Sequence, residues 1–166
     1  IDDMLPFQLA TITNQGLAAS TNAPAVATDD PATAETNDAT VVVLTMGSLR
    51  GVVWVDDGDG MVASDEPPLP DVTVTLHYTD VDGGAQSASV NTDANGAYTF
   101  TVLAAGDYRI GVALREGFKY GVVWGGDKDN KIDPANSLTP VIALEANQQL
   151  TGVNAGQLSV LAFGYL

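Results

Sequence analysis

The chain has no cysteine, so neither a disulfide framework nor a thiolate metal site is available to it. Positive charge is almost as scarce, with six Lys and Arg against 21 Asp and Glu and a formal net charge of −15. That balance argues against nucleic acid as a partner, because binding it depends on cations that displace phosphate counterions, and it disfavours an anionic membrane surface for the same reason. A single histidine, His77, is the only imidazole. No Gly-x-Ser-x-Gly elbow occurs, and no Gly-rich loop leads from a strand to a helix as a phosphate cradle requires. No apolar run approaches the roughly 20 residues of a membrane-spanning helix, so membrane insertion is not expected. The chain does not open on Met followed by a basic and then an apolar stretch, so Ile1 reads as the product of processing. These absences together lead us to expect a protein that is not an enzyme.

What is present divides in two. Residues 1–47 hold one short apolar stretch (Met4, Leu5, Phe7, Leu9, Ile12), then a low-complexity run from Ala18 to Ala39 rich in Ala, Thr, Asn, Asp and Pro. This is read as an extended N-terminal segment, a linker or a donor strand. From Val41 onward the texture is that of strands: Val41–Met46, Leu49–Val55, Val72–Tyr78, Gln86–Asn91, Tyr98–Leu103, Tyr108–Leu114, Tyr120–Trp124, Pro140–Leu144, Leu150–Ala155 and Leu158–Tyr165. Turn signals separate them, including Asp82-Gly83-Gly84, Asp93-Ala94-Asn95-Gly96 and Ala105-Gly106-Asp107. No stretch sustains a 3.6-residue period, so residues 48–166 are predicted to form an all-β sandwich. Alternation turns Val72, Val74, Leu76 and Tyr78 to the core and Thr73, Thr75 and His77 outward, which makes His77 a surface residue rather than a general base.

The acids cluster in two loops. Asp56, Asp57 and Asp59 alternate with Gly58 and Gly60, and Asp127, Asp129 and Asp133 follow later with Lys128 and Lys131 among them. Carboxylates this close repel one another unless a cation sits among them; a solvated acidic turn is the alternative. Calcium takes six to eight oxygen ligands, which closely spaced carboxylates and a sharp glycine turn supply. The first loop, closed by Glu66, meets that need, with the loop of Asp127, Asp129, Asn130 and Asp133 as a second candidate.

Gly51-Val52-Val53-Trp54-Val55-Asp56-Asp57-Gly58-Asp59-Gly60, then Glu66-Pro67-Pro68-Leu69 and Val72-Thr73-Val74-Thr75-Leu76, resembles the B domain of serine-aspartate-repeat surface proteins, the SdrD B-like family. The likeness continues through Thr92-Asp93-Ala94-Asn95-Gly96-Ala97-Tyr98-Thr99-Phe100, Leu103, Gly106-Asp107-Tyr108-Arg109-Ile110, Ile132-Asp133-Pro134, Leu138-Thr139-Pro140 and Ala155-Gly156, in family order across residues 48–157. It implies an immunoglobulin-like or transthyretin-like sandwich on a secreted or cell-surface protein, with calcium stiffening the loops, acting as stalk, spacer or adhesin part. The chain departs from the family in an acidic loop one residue shorter and in Ala63, where relatives carry another Asp; Asp65 or Glu66 is expected to make up the carboxylate. Related surface domains form Lys–Asn or Lys–Asp isopeptide bonds, but the first core strand here carries Arg50, whose guanidinium is no such nucleophile.

Two functions follow as expectations. The first is a structural subunit of a filament, stalk or surface layer, whose partners are copies of itself joined head-to-tail by strand exchange. The donor would be Phe7–Thr13 (Phe7, Leu9, Ile12), with Val41–Met46 (Val41, Val43) second. The alternative is an adhesin-type module that binds glycan or protein through its loops, with Trp124, Tyr120 and Phe118 as stacking aromatics and Trp54 assigned to the core.

Overall fold

The structure is a computed structural model that describes residues 11–43, 46–80, 82–121 and 124–160. It divides into two compact units, Ile1–Thr45 and Met46–Leu166.

The first unit is built from short strands paired two by two. Strand β1 (Thr11–Asn14) runs antiparallel to β4 (Thr40–Val43), with Ile12 opposite Val42 and Thr13 opposite Val41. Strands β2 (Leu17–Ser20) and β3 (Ala23–Ala27) form a hairpin across Thr21-Asn22, with Ala18 opposite Val26. All of β2 and nearly all of β3 is exposed, including Leu17 and Val26. What organises the Ala18–Ala39 run is hydrogen bonding rather than burial. Thr28 and Gly16 exchange two bonds of 2.8 Å. The Gln15 side-chain amide donates to the Asn37 backbone carbonyl at 2.6 Å, and the Asn37 backbone amide donates to the Asp29 carboxylate at 2.8 Å. The Asp38 carboxylate accepts from the Thr33 hydroxyl at 2.6 Å and from the Asp30 amide at 3.2 Å. The Thr33 bond is the main reason the Asp38 carboxyl sits below its ordinary pKa. Polar low-complexity sequence is thus ordered by Asx and Thr side chains that replace missing backbone partners.

The second unit is a sandwich. In one sheet β5 (Gly47–Val55) is central. It pairs antiparallel with β8 (Ala97–Leu103) on one edge and parallel with β12 (Gln149–Leu150) and β13 (Ala155–Ser159) on the other; β10 (Phe118–Tyr120) adds to β13. The other sheet has the order β11 (Ile142–Leu144), β9 (Gly106–Val112), β6 (Thr73–Thr79), β7 (Ala85–Asn91), all antiparallel. Alternate residues of both sheets (Leu49, Val53, Tyr98 and Phe100 against Val74, Leu76, Ile110 and Val112) form one buried cluster. Val72 is buried, Tyr78 half-buried against that cluster, and Thr73 and His77 exposed, as alternation predicts.

The expected strand Leu150–Ala155 is split between β12 and β13. Between them, residues 151–154 lie beside Arg50–Val52 with one residue in excess: the Val153 amide donates to the Arg50 carbonyl at 3.2 Å and the Val52 amide to the Asn154 side chain at 3.0 Å. Gly51 leaves the room this needs, since a Cβ there would lie 1.9 Å from the Val153 carbonyl oxygen, which the buried Tyr98 hydroxyl also holds by donating to it. Of the expected Tyr120–Trp124 strand, pairing is carried by Phe118–Tyr120, while residues 122 and 123 lie outside the described residues, as do residues 161–166 of the expected final strand.

Candidate metal centre

The loop after β5 is shaped by a return of the chain. Val55 donates to the Pro67 carbonyl at 2.8 Å and Leu69 to the Val53 carbonyl at 2.9 Å, so residues 67–69 run back along β5. Glu66 therefore arrives beside Asp57. Its two carboxylate oxygens accept the Asp57 amide at 2.9 Å and the Ala63 amide at 2.8 Å, strapping both sides of the loop together. Asp57 accepts from the Asp59 amide at 3.2 Å and Asp59 from the Met61 amide at 2.7 Å. Gly58 (φ 115°) and Gly60 (φ 74°) make the turn in a backbone region that side chains rarely adopt.

Asp56 differs from its neighbours because it is buried, 2% exposed. One carboxylate oxygen, Oδ1, accepts the Gly58 amide at 2.9 Å and the Gly60 amide at 3.1 Å. The other, Oδ2, is buried with no hydrogen-bond partner. A buried carboxylate oxygen in that state costs free energy unless a proton or a cation meets it. One ligand oxygen from each of Asp56, Asp57, Asp59 and Glu66 lies within 4.8 Å of the others, and among the described residues this is the group of acids that converges so. Two like charges about 5 Å apart repel by roughly 1 kcal/mol in water and about 3 kcal/mol in a protein-surface environment. Hard oxygen donors, clustered charge and a buried oxygen lacking a partner fit a hard metal cation.

Asp65 is not one of the four, although it lines the same cleft of about 330 Å³ beside Asp57, Glu66 and Leu158. The second acidic loop divides its acids among different tasks. Asp129 accepts the Val62 amide at 2.9 Å and so ties its loop to the first. Asp133 caps its own turn, accepting the Ala135 amide at 2.9 Å and the Asn136 side-chain amide at 3.2 Å. Asp127 is exposed. Lys131 donates from Nζ to the backbone carbonyls of Gly126, at 3.1 Å, and Lys128, so its ammonium holds the loop's own backbone.

Sequence reasoning did not connect the buried residues that support the centre with it, grouping Asn130 with the second acidic loop and giving Gly121 and Gly156 no part in either. Asn130, 0% exposed, donates its amide to the Gly60 carbonyl at 3.0 Å and accepts from Ile132 and Gly156 on Oδ1. Gly121 and Gly156 leave room for Asp56: a Cβ on Gly121 would fall 2.6 Å from Asp56 Oδ2, and one on Gly156 would fall 2.8 Å from Asp56 Cβ. No local spacing signals these residues, which come from three distant segments. Of the aromatics, Trp54 is core as expected, whereas Phe118, Tyr120 and Trp124 are half-buried. Trp54 is 2% exposed, Phe118 and Tyr120 pack against the core, and the Tyr120 hydroxyl donates to the Val112 carbonyl at 2.7 Å.

The two stretches expected as donor strands meet each other in β1 and β4, so Val41 and Val43 stand opposite Thr13 and Thr11. Phe7 and Leu9 lie outside the described residues.

Comparison with known proteins gives a family match over residues 47–157, to the SdrD B-like domain. Colossin-A of Dictyostelium discoideum is 30% identical over 112 residues, which is 67% of this chain and 1% of that protein. Among solved structures, the minor pilin GBS52 of Streptococcus agalactiae is similar at a TM-score of 0.45 and 18% identity, covering 82% of this chain and 59% of that one. The major pilin BcpA of Bacillus cereus is similar at a TM-score of 0.47 and 14% identity, covering 90% and 39%.

Proposed function

This chain belongs to the SdrD B-like domain family, and from that membership we propose that it is an extracellular structural module, a stalk or filament subunit. In this reading its copies join head-to-tail by strand exchange, and calcium on the 56–66 loop stiffens it. The observation that supports joining is the N-terminal unit: its described strands pair only two by two, and Leu17, Val26 and Val41 stay exposed at 70%, 54% and 49%. An isolated two-stranded ribbon is marginally stable in water and gains from a third strand. Deleting residues 1–15 and imaging the product tests this. Loss of assemblies supports the reading; unchanged fibres, or a full chain that is a clean monomer, contradicts it.

The calcium part of the reading is supported by Asp56, whose buried Oδ2 lacks a partner at the point where four carboxylates converge. Asp56, Asp57, Asp59 and Glu66 would hold the ion, which would cancel their mutual repulsion. Because Asp129 and Asn130 bond the same loop, the 124–133 segment would be stiffened along with it.

A further inference from the structure

Strand exchange needs an acceptor, and the sheet edges of the sandwich are unequal. Strands β10 and β11 span three residues each and β12 two, too short to template a partner. Strand β8 is longer, but its register shifts opposite Gly47–Leu49, and Val102 within it has φ 60°, so that edge is bulged. Strand β7 is different. Its seven residues follow β6 without a register break, from Thr79 opposite Ala85 to Thr73 opposite Asn91. It contains no proline and no charge, and its side chains are exposed or half-buried. Natural edge strands carry lysine, proline or bulges that prevent pairing; β7 carries none of these, and its second edge is unpaired among the described residues.

We propose that this edge of β7 receives β1 of a second copy, a deeper statement of the assembly reading above, on which it rests. Charge selects the occupant. Acids stand at both ends of β7: Asp80 accepts the Gln86 side-chain amide at 2.8 Å, and Asp71 accepts that of Asn91 at 2.8 Å. An incoming acidic strand is repelled there, in a chain already at −15. The longest stretch of this chain without a charged residue is residues 4–28, which holds β1, β2 and β3; the hairpin of β2 and β3 carries a register shift between Ala18 and Ser20 and a proline, Pro24, both of which hinder pairing, and β1 carries neither. Strand β1 gives one edge to β4, and its other edge is unpaired among the described residues. The polarity of the outer face also matches: there the Thr75 and Ser89 hydroxyls bond at 2.9 Å and Thr73 bonds Asn91 at 3.1 Å, and the exposed Thr13 of β1 offers a further hydroxyl.

The absence of native cysteine makes the contact directly readable. Chains carrying Thr13→Cys are mixed under mild oxidation with chains carrying Ser87→Cys or Ser89→Cys, two exposed β7 positions. Controls carry Thr101→Cys on β8 or Ala143→Cys on β11. Adjacent strands place Cα atoms at about 4.5 to 5.5 Å, within disulfide reach. The expected result is disulfide-linked pairs at Ser87 or Ser89 at least about tenfold above both controls. Association with bonds formed instead at Thr101 or Ala143 overturns β7 as the acceptor and leaves strand joining intact. Chains that remain monomeric by light scattering overturn both.

Discussion

The N-terminal unit and the sandwich use the same element, the short β-strand, with opposite support. In the sandwich, strands from two sheets bury one another's alternate residues, and Leu49, Val53, Val74, Leu76 and Ile110 are completely excluded from water. In the N-terminal unit the described strands contribute no member of that cluster, and the Asx and Thr hydrogen bonds of residues 28–38 do the organising. Hydrogen bonds contribute about 1 kcal/mol each, net of the water they replace, whereas a fully buried Leu contributes about 1.5 to 3 kcal/mol. Burial thus supports the sandwich, while the described N-terminal strands rest on hydrogen bonds, which is why the proposed assembly assigns them to another sheet.

The largest effect expected from breaking this contrast is in the core. Leu76→Ala should cost about 2 to 5 kcal/mol, whereas Leu17→Ala, at a side chain 70% exposed, should change the stability of the dilute chain by less than about 0.5 kcal/mol. Urea denaturation of both variants reads the difference directly, and equal losses would place Leu17 in a core of its own.

Alkaline pH comes next. Burial raises the Tyr98 hydroxyl well above its ordinary pKa, so the folded state holds a proton that the unfolded chain releases. The stability this brings is complete below the unfolded value of about 10, and it falls by about 1.4 kcal/mol per pH unit above that value until the folded pKa is reached. Tyr98→Phe should be weaker at neutral pH, for loss of the bond to Val153, yet decline less between pH 10 and 12. Parallel slopes for the two proteins would contradict the assignment.

A smaller effect is expected from calcium. At a tenfold excess over its dissociation constant, an ion that binds only the folded state adds about 1.4 kcal/mol, a shift of several degrees in Tm for a domain of this size. Calorimetry with calcium and then with chelator should show that shift, and the double variant Asp59→Asn, Glu66→Gln should abolish it. A Tm indifferent to both additions would leave the acidic loop a solvated turn.

The smallest effect is expected at the tie between loops, where Asp129→Ala removes one bond to the Val62 amide. It should cost about 1 kcal/mol, and its thermal melt should match the parent if the two loops are independent.

The sandwich was legible because its signal is local: period-two alternation in Val72–Tyr78 and in Tyr98–Leu103 follows from side chains that take opposite faces of a sheet. The convergence of acids in the 56–66 loop was legible for a similar reason, since Asp56, Asp57, Asp59 and the glycines between them are contiguous. Their support was not. Gly121 and Gly156 come to Asp56 from segments more than 60 residues along the chain, where they leave space, and Asn130 joins the loop through the Gly60 carbonyl, none of which a spacing rule records. The hairpin of Leu17–Ala27 was hidden for a third reason, because strands that bury nothing leave no apolar period to read. Asp127, Asp129 and Asp133 show the converse: proximity in sequence grouped acids that the fold sends to an exposed loop, a tie between loops and a turn cap.

Backbone hydrogen exchange at two protein concentrations tests the contrast most directly. Amides of β5, β6 and β9 should be protected to the same degree in dilute and concentrated solution, because their partners are in the same chain. Those of β1 and β4 should exchange rapidly when dilute and gain protection as copies associate. Protection of β1 and β4 that equals the core at every concentration would show that the N-terminal unit is complete by itself, contradicting its role as a joining element.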